Sequence, residues 1–206
     1  MATTKAPLFG LDASGSLGGA IVFSKWRGRT YVRTHVTPSN PKSGLQVSAR
    51  AAMRFITQAW AGLSSAIKTE WDDTDSADNI TGLNSQVKYN MPRNRQGLGL
   101  VRAVSDAAGT TPDAPATGTA TAAPKSLLIE WTAGTAEPEY VWYIYSSETT
   151  GFTPGPSNLV RVVAAATLEW THTGLTTGTA QYYRIRGGNH DGELGSLIAE
   201  FSGTPT

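Results

Sequence analysis

Apolar residues follow two different spacings in the two halves of the chain. After Ser43 they recur every three or four positions, which is the spacing of one face of a helix. The positions are Met53, Ile56, Trp60, Leu63, Ile67 and Trp71. We therefore predict a helical region with Trp60, Leu63 and Trp71 as core anchors.

Capping and turn residues set the expected ends of these helices. Ser43 and Gln46 have the spacing of a capping box, so a helix should begin there. Gly62 and the pair at 64–65 interrupt the stripe, and either serine of that pair could cap a second, shorter helix. A third helix is expected within residues 80–104, with a kink or stop at Pro92.

Residues 20–36 show the alternation of a β-strand, or of a hairpin turning at residues 26–29. Read as one strand, the segment places most of its basic side chains and one tyrosine on a single face. We predict a partner-docking surface here, formed by Lys25, Trp26, Arg27, Arg29, Tyr31 and Arg33. The alternatives are a solvated edge strand, whose Lys and Arg residues discourage misassociation, and a weak, salt-dependent phosphate contact.

The second half of the chain has the pattern of an all-β domain. Short runs of aromatic and β-branched residues alternate with turns rich in Gly and Pro. The predicted strands cover residues 126–131, 140–145, 159–163, 167–170, 181–186 and 197–201. Strands at this density predict an immunoglobulin-like sandwich, with Trp131, Tyr183 and Ile185 as core anchors.

These patterns divide the chain into four parts. Residues 1–19 are a Gly- and Ser-rich extended arm, and residues 20–108 are a docking module of a strand or hairpin plus helices. Residues 109–116 have the composition of a linker, and residues 117–206 form the sandwich. The fold class is therefore α+β and multidomain.

Charge separates the two halves of the chain. Residues 1–109 contain 13 Lys and Arg against 7 Asp and Glu, whereas residues 110–206 contain 4 against 9. The halves therefore carry +6 and −5, which suggests modules with different neighbours. The total of +1 disfavours a specific nucleic-acid binder, because that affinity depends on neutralising many phosphates.

The residues that carry enzyme chemistry are scarce. The chain has no cysteine and 3 histidines in 206 residues, and it lacks a nucleophile elbow and a phosphate-binding loop. The acidic run at 72–78 does not fit the calcium loop of an EF-hand, and residues 190–193 are better explained as a hairpin tip than as a metal site. We expect no enzyme activity, no cofactor and no metal. No targeting segment and no membrane span is expected either.

The second half resembles a fibronectin type III domain. The matching segments are residues 112–115, 129–131, 174–179 and 182–186. The family usually carries a corner-capping tyrosine six residues after the leucine that corresponds to Leu175. Here Gln181 holds that position and two tyrosines follow it, so the corner is remade or the turn is longer.

The first half resembles a family of tailed-bacteriophage virion proteins. The matching residues are 15–19, 21–33, 38–41, Gln46, Arg50, Trp60, Leu63, Ser64, Trp71 and 94–97. The resemblance implies a non-enzymatic structural protein located in the virion and made in the bacterial cytoplasm. The implied partners are other virion proteins, above all the major capsid protein, in a symmetric multi-copy assembly.

Three functions follow from these observations. The first is decoration or cementing of the head, with docking by the N-terminal half and outward projection of the sandwich. The second is a tail or head–tail junction component, in which the arm extends a neighbour's sheet. The third is weak contact of the sandwich with carbohydrate or a cell surface, suggested by aromatic residues such as Trp131, Trp142 and Trp170.

Overall fold

The computed structural model describes residues 3–4, 13–27, 29–37, 39–107, 109–136, 138 and 140–206. The chain divides into two compact units, Met1–Pro41 and Lys42–Thr206. Helices and antiparallel sheets are both present, so the predicted mixture of the two is confirmed.

The first unit contains a four-stranded antiparallel sheet. Its strands are β1 (Thr3–Thr4), β2 (Ala13–Leu17), β3 (Ile21–Trp26) and β4 (Arg29–Thr34), hydrogen-bonded in that order. Residues 18–20 connect β2 to β3, and Gly18 and Gly19 have φ angles of 58° and 68°. Two consecutive left-handed residues suit a tight hairpin turn, and glycine adopts that conformation at low cost.

The described part of residues 1–19, which was expected to be an extended arm, forms paired β-strands. β2 pairs along β3, with Gly15 opposite Phe23 and Leu17 opposite Ile21. Pairing satisfies the backbone of this Gly- and Ser-rich segment, which its side chains alone could not stabilise. Residues 1–2 and 5–12 of the expected arm lie outside the described residues.

The second unit begins with three helices. They are α1 (Gly44–Gly62), α2 (Ser65–Thr74) and α3 (Gly82–Arg95), with a 3₁₀ turn at Ser76–Asp78. The Ser64 hydroxyl accepts a bond from the Ile67 N–H at 3.4 Å, so the predicted cap of the second helix is confirmed. Ser43 occupies the N-cap of α1, although its side chain makes no capping bond. Pro92 lies inside the last turn of α3, which ends before residue 104.

Seven strands follow the helices. They are β5 (Thr117–Ala123), β6 (Ser126–Thr132), β7 (Val141–Ser147), β8 (Leu159–Ala164), β9 (Glu169–Thr173), β10 (Gln181–Gly188) and β11 (Phe201–Gly203). The sequence did not predict β5, since it consists of Thr, Ala and Gly and lacks the aromatic and branched aliphatic residues typical of strands.

These strands form two antiparallel sheets that share one hydrophobic cluster. One sheet has the order β5-β6-β9 and the other β11-β10-β7-β8. Leu127 and Ile129 of β6 belong to the same buried cluster as Ile144 of β7 and Ile185 of β10. The rings of Trp131 and Trp142 meet edge to face across it, with centroids 6.2 Å apart.

Helices cover the other face of the sheet formed by β11, β10, β7 and β8. Phe55 of α1 meets Tyr140 edge to face at 5.1 Å, and both belong to a second buried cluster with Tyr143 and Leu159. β7 is therefore buried on both sides. Its run of consecutive apolar and aromatic residues has this cause, since a strand covered on both faces needs no alternation.

The observed division of the chain differs from the expected one. The module predicted for residues 20–108 is split at Pro41, because the helices pack on the sheets of the second unit. The predicted linker at 109–116 is also bonded to these sheets. The Asp113 N–H donates to the Ala136 carbonyl at 2.9 Å, and the Ala116 N–H donates to Thr132 at 2.9 Å.

Two of the six predicted core anchors are not in the core. Trp71, Trp131, Tyr183 and Ile185 are buried, whereas Trp60 and Leu63 are only half-buried. The predicted stripe runs along a flank of α1, because this helix is covered by both the sheet and α3 and buries a wider face. That face consists of Ser48, Ala51, Ala52, Phe55 and Ile56.

Candidate docking surface

The N-terminal sheet has an apolar face that is open to solvent. Residues directly opposite one another share a face, so Leu17 lies beside Ile21, and Phe23 lies beside Val32. Phe23 is buried, but Leu17, Ile21 and Val32 are 48%, 37% and 58% exposed. We call these four residues the apolar face. Exposed side chains of this kind, adjacent on one sheet, are typical of an interaction surface.

The predicted basic face is wrong for the residues whose side chains are described. Because β3 and β4 form a hairpin, Lys25 shares the apolar face, while Tyr31 and Arg33 lie on the opposite one. Arg27 occupies the turn, with a φ of 47°. A two-residue turn pairs odd positions with even ones, so the alternation of a single strand does not continue through it.

The remaining members of the predicted docking set have no described side chains. Trp26 and Arg29 pair at the end of the hairpin, but their side chains lie outside the described part, as does Gly28. Tyr31 is 42% exposed, and Arg33 is exposed as well. Tyr31 and Arg33 therefore remain candidates for contact on the face opposite the apolar face.

Residues 98–106 are hydrogen-bonded to the helices α2 and α3, and we call these bonds the polar connection. The indole N–H of Trp71 and the amide of Gln86 both donate to the Arg102 carbonyl, at 2.8 and 3.2 Å. The Asn90 amide accepts from the Val101 N–H at 2.7 Å and donates to the Val101 carbonyl at 3.0 Å. Buried polar groups that are satisfied in this way fix a segment in one conformation. Their role is structural.

The cluster at residues 190–193 belongs to the same framework. Arg102 pairs with Asp106 at 2.6 Å, and its Nη1 lies 3.2 Å from Nε2 of His190. Asp191 accepts from the Glu193 N–H at 3.0 Å, while the Glu193 carboxylate accepts from Thr111. The acidic side chains are thus directed to local donors. Among the described residues, no group of three or more potential ligands could hold a metal ion.

A groove of about 390 Å³ lies between α1 and the strands β8 and β9. Phe55, Tyr140 and Val162 supply its apolar wall, and Arg161 lies over the Trp170 ring at 6.0 Å. Burial, together with nearby Arg54, lowers the pKa of Arg161 from its usual value.

The Trp170 ring is in contact with neighbouring side chains, of which Arg161 is one. It also stacks on His172, with centroids 4.7 Å apart. Trp131, Trp142, Tyr143 and Tyr145 are all buried. The aromatic residues that suggested carbohydrate contact are therefore mostly core residues.

Burial changes the chemistry of His172 in β9. Its Nδ1 lies 2.9 Å from the hydroxyl of Tyr183, which is fully buried. Burial disfavours the charged ring and lowers the pKa of His172 to about 4. A histidine with such a pKa is neutral at physiological pH and serves as a hydrogen-bonding group.

None of the helices in the described part of the chain has the length and apolarity that a bilayer crossing needs. The chain matches no protein-family model and no curated protein.

Comparisons with solved structures give partial similarities. Half of this chain (50%) is similar to a β-1,2-glucanase from Parabacteroides distasonis, with 20% identity and a TM-score of 0.43, and the match spans 14% of that enzyme. A structure described as a myokine is matched over 47% of this chain and 100% of its own, with 15% identity and a TM-score of 0.37. One described as FN3tt mut has the same coverages, 20% identity and a TM-score of 0.36. The assignment of a function therefore depends on the geometry of this chain.

Proposed function

We propose that this chain is a non-enzymatic structural protein of a bacteriophage particle. It docks onto other virion proteins with its N-terminal sheet and projects its C-terminal unit from the particle. The proposed partner is the major capsid protein, and the proposed role is decoration of the head. The resemblance of the first half to tailed-phage virion proteins supplies the class of assembly, and the apolar face supplies the docking element.

The exposed apolar face is the observation that carries the proposal. Leu17, Ile21 and Val32 lie in a sheet that belongs to a compact unit of its own. Sheets are stable when an apolar face is buried against a second layer, and within the described part of this unit no helix or second sheet supplies one. A partner's surface would provide that layer. Repetition of the contact by symmetry would then hold many copies through modest single contacts.

We further propose that residues 117–206 form a fibronectin type III-like sandwich. Its support is the division of seven strands into sheets of three and four that share one core. The corner that usually carries a tyrosine is built differently. Gln181 is buried and accepts from the Ser146 hydroxyl at 3.1 Å, while Tyr183 bonds to His172.

The exposed face of the three-stranded sheet has the polarity expected of a surface that projects into solvent. Thr119, Glu130 and Glu169 lie in one row across β5, β6 and β9, and all three are exposed. Polar and like-charged neighbours on an open face favour solvent over self-association.

The proposal is tested by incorporation into particles of the source phage or lysogen. Leu17→Asp combined with Ile21→Asp should reduce the copy number severely, because two carboxylates would have to be buried at the contact. Ser16→Asp is the matched control, since Ser16 is exposed on the opposite face of the same strand. Quantitative mass spectrometry of purified particles measures the copies of each variant, and circular dichroism checks that both fold.

Each outcome of this measurement decides between roles. Hundreds of wild-type copies per particle, lost in the double variant and kept in the control, support head decoration through the apolar face. A dozen or fewer would move the protein to the tail or the head–tail junction. Complete absence of the wild-type chain from particles would overturn the virion proposal, and normal incorporation of the double variant would overturn docking by this face.

A further inference from the structure

The outer edge of β4 carries backbone groups that face away from the sheet. In the described part of the chain, β4 is the last strand of its sheet and pairs only with β3. The His35 N–H donates back to the Ala20 carbonyl at 2.7 Å. Backbone groups alternate in direction along an antiparallel strand. The N–H and C=O groups of Tyr31 and Arg33 therefore also point toward β3, and the N–H and C=O of Val32 point away from it.

We propose that this edge pairs with the same edge of a second copy of this chain. The two β4 strands would run antiparallel about a two-fold axis at Val32, which would lie opposite Val32 of the other copy. The outward N–H and C=O of each Val32 would bond to those of its counterpart, as in a hydrogen-bonded antiparallel pair. The proposal does not depend on the virion role, since it uses the N-terminal sheet alone.

The direction of the side chains restricts the register. A two-fold axis perpendicular to the sheet leaves each side chain on its original face, so a residue must meet one of the same parity. Val32 opposite Val32 satisfies this condition and keeps Leu17 and Ile21 of both copies on one side. The apolar face would then continue across the pair, and a partner would meet two adjacent copies of it.

Charge selects this register over its neighbours. With Val32 at the centre, Tyr31 lies opposite Arg33 of the second copy, a pairing that a cation–π contact favours. A shift of the centre to Arg33 sets that residue against itself. A shift to Tyr31 sets Arg29 against Arg33, and like charges directly opposite are destabilising. Basic residues on an edge usually discourage pairing, and the arrangement centred on Val32 avoids the like-charge contacts of its two neighbouring registers.

A charge pair at the symmetry axis tests the contact in the full-length chain. Val32→Lys and Val32→Glu should each weaken dimerisation by about tenfold or more, because each places identical charges opposite one another. An equimolar mixture of the two should recover dimers, since Lys then meets Glu. Analytical ultracentrifugation measures all three samples and the wild type. Ser16→Lys, a charge away from the edge, should leave the dimer unchanged.

A disulfide tests the register. The chain has no cysteine, so Val32→Cys introduces a single thiol. Opposite residues of a hydrogen-bonded antiparallel pair have Cα atoms about 5.5 Å apart, within the range that a disulfide spans. Val32→Cys should therefore oxidise to a covalent dimer. Thr34→Cys should not, since its counterpart would lie four residues along the strand.

These results decide the proposal. Recovery of dimers in the mixture, with cross-linking at residue 32 and not at 34, supports it. A wild-type chain that stays monomeric, a mixture that stays monomeric, or preferential cross-linking through Thr34→Cys would each overturn it. Recovery in the mixture also shows that the single variants were folded.

Discussion

The chain contains two four-stranded antiparallel sheets that complete their cores in different ways. The sheet of β7, β8, β10 and β11 is covered on one face by β5, β6 and β9 and on the other by helices. The N-terminal sheet leaves Leu17, Ile21 and Val32 exposed. Four strands with apolar residues do not by themselves specify a closed core. What differs is that other elements of the same unit pack on both faces of the second sheet.

The contrast suggests different tasks for the two sheets. The strand β7 is buried along most of its length, so its sheet forms the closely packed centre of the second unit. The N-terminal sheet leaves apolar surface exposed, and under the proposed function a partner covers it. A unit built to dock should be less stable alone than in its assembly.

Removal of the helices should give the largest effect. A fragment of residues 109–206 exposes the side of the sheet that carries Tyr143, Leu159 and Val162. Each large apolar side chain that loses its cover costs roughly 1.5–3 kcal/mol. We expect this fragment to bind a hydrophobic dye and to lack a cooperative thermal transition. Residues 42–206 should retain the transition, and a fragment 109–206 as stable as that control would contradict the role of the helices.

A single substitution in the helical layer should have the next largest effect. Phe55→Ala removes the ring that meets Tyr140 and should destabilise the second unit by about 3–5 kcal/mol. Phe23→Ala is the matched control, because Phe23 is buried in the other unit. Chemical denaturation followed by tryptophan fluorescence measures both, since five of the six tryptophans lie in the second unit. Equal losses of stability from the two variants would mean that the sheets are not independent.

The polar connection that holds the helical layer should contribute less. Asn90→Ala leaves the buried Val101 N–H and carbonyl without their partner, at a cost of roughly 1–3 kcal/mol. Asn84→Ala, on the exposed side of the same helix, should change stability little. Thermal unfolding of both variants measures the difference. Similar midpoints for the two would show that the network adds no stability.

The sequence predicted the elements whose signals are local. The runs that became β6, β7, β8 and β10 were identified from their aromatic and β-branched residues, and the pair Ser64 and Ser65 was identified as the site of a helix cap, which Ser64 supplies. Trp71, Trp131, Tyr183 and Ile185 were placed correctly in the core. Each of these depends on residue type and short-range spacing.

Features that depend on long-range packing were not predictable in this way. The faces of β3 and β4 depend on whether the chain reverses between Trp26 and Arg29, and that one choice reverses the side of Lys25 relative to Tyr31 and Arg33. The docking of α1 on β8 joins elements that are far apart in the sequence, so short-range spacing does not reveal it. Buried Asn90 carries no apolar signal at all, because its partners are backbone groups of residue 101.

The last effect we predict is absent at neutral pH and concerns His172 of β9, whose ring contacts the hydroxyl of Tyr183 in β10. Burial lowers the pKa of His172 from 6.5 to about 4, so the unfolded chain takes up a proton more readily than the folded one. The stability of the second unit should therefore be full above pH 6.5 and decline as the pH falls from 6.5 toward 4. His172→Asn retains a hydrogen-bonding group near Tyr183 but cannot titrate, so its unfolding midpoint should decline less over this range. His35→Asn, an exposed site beside the N-terminal sheet, should follow the wild type. A His172→Asn protein that declines as steeply as the wild type would assign the acid sensitivity to other groups of the unit.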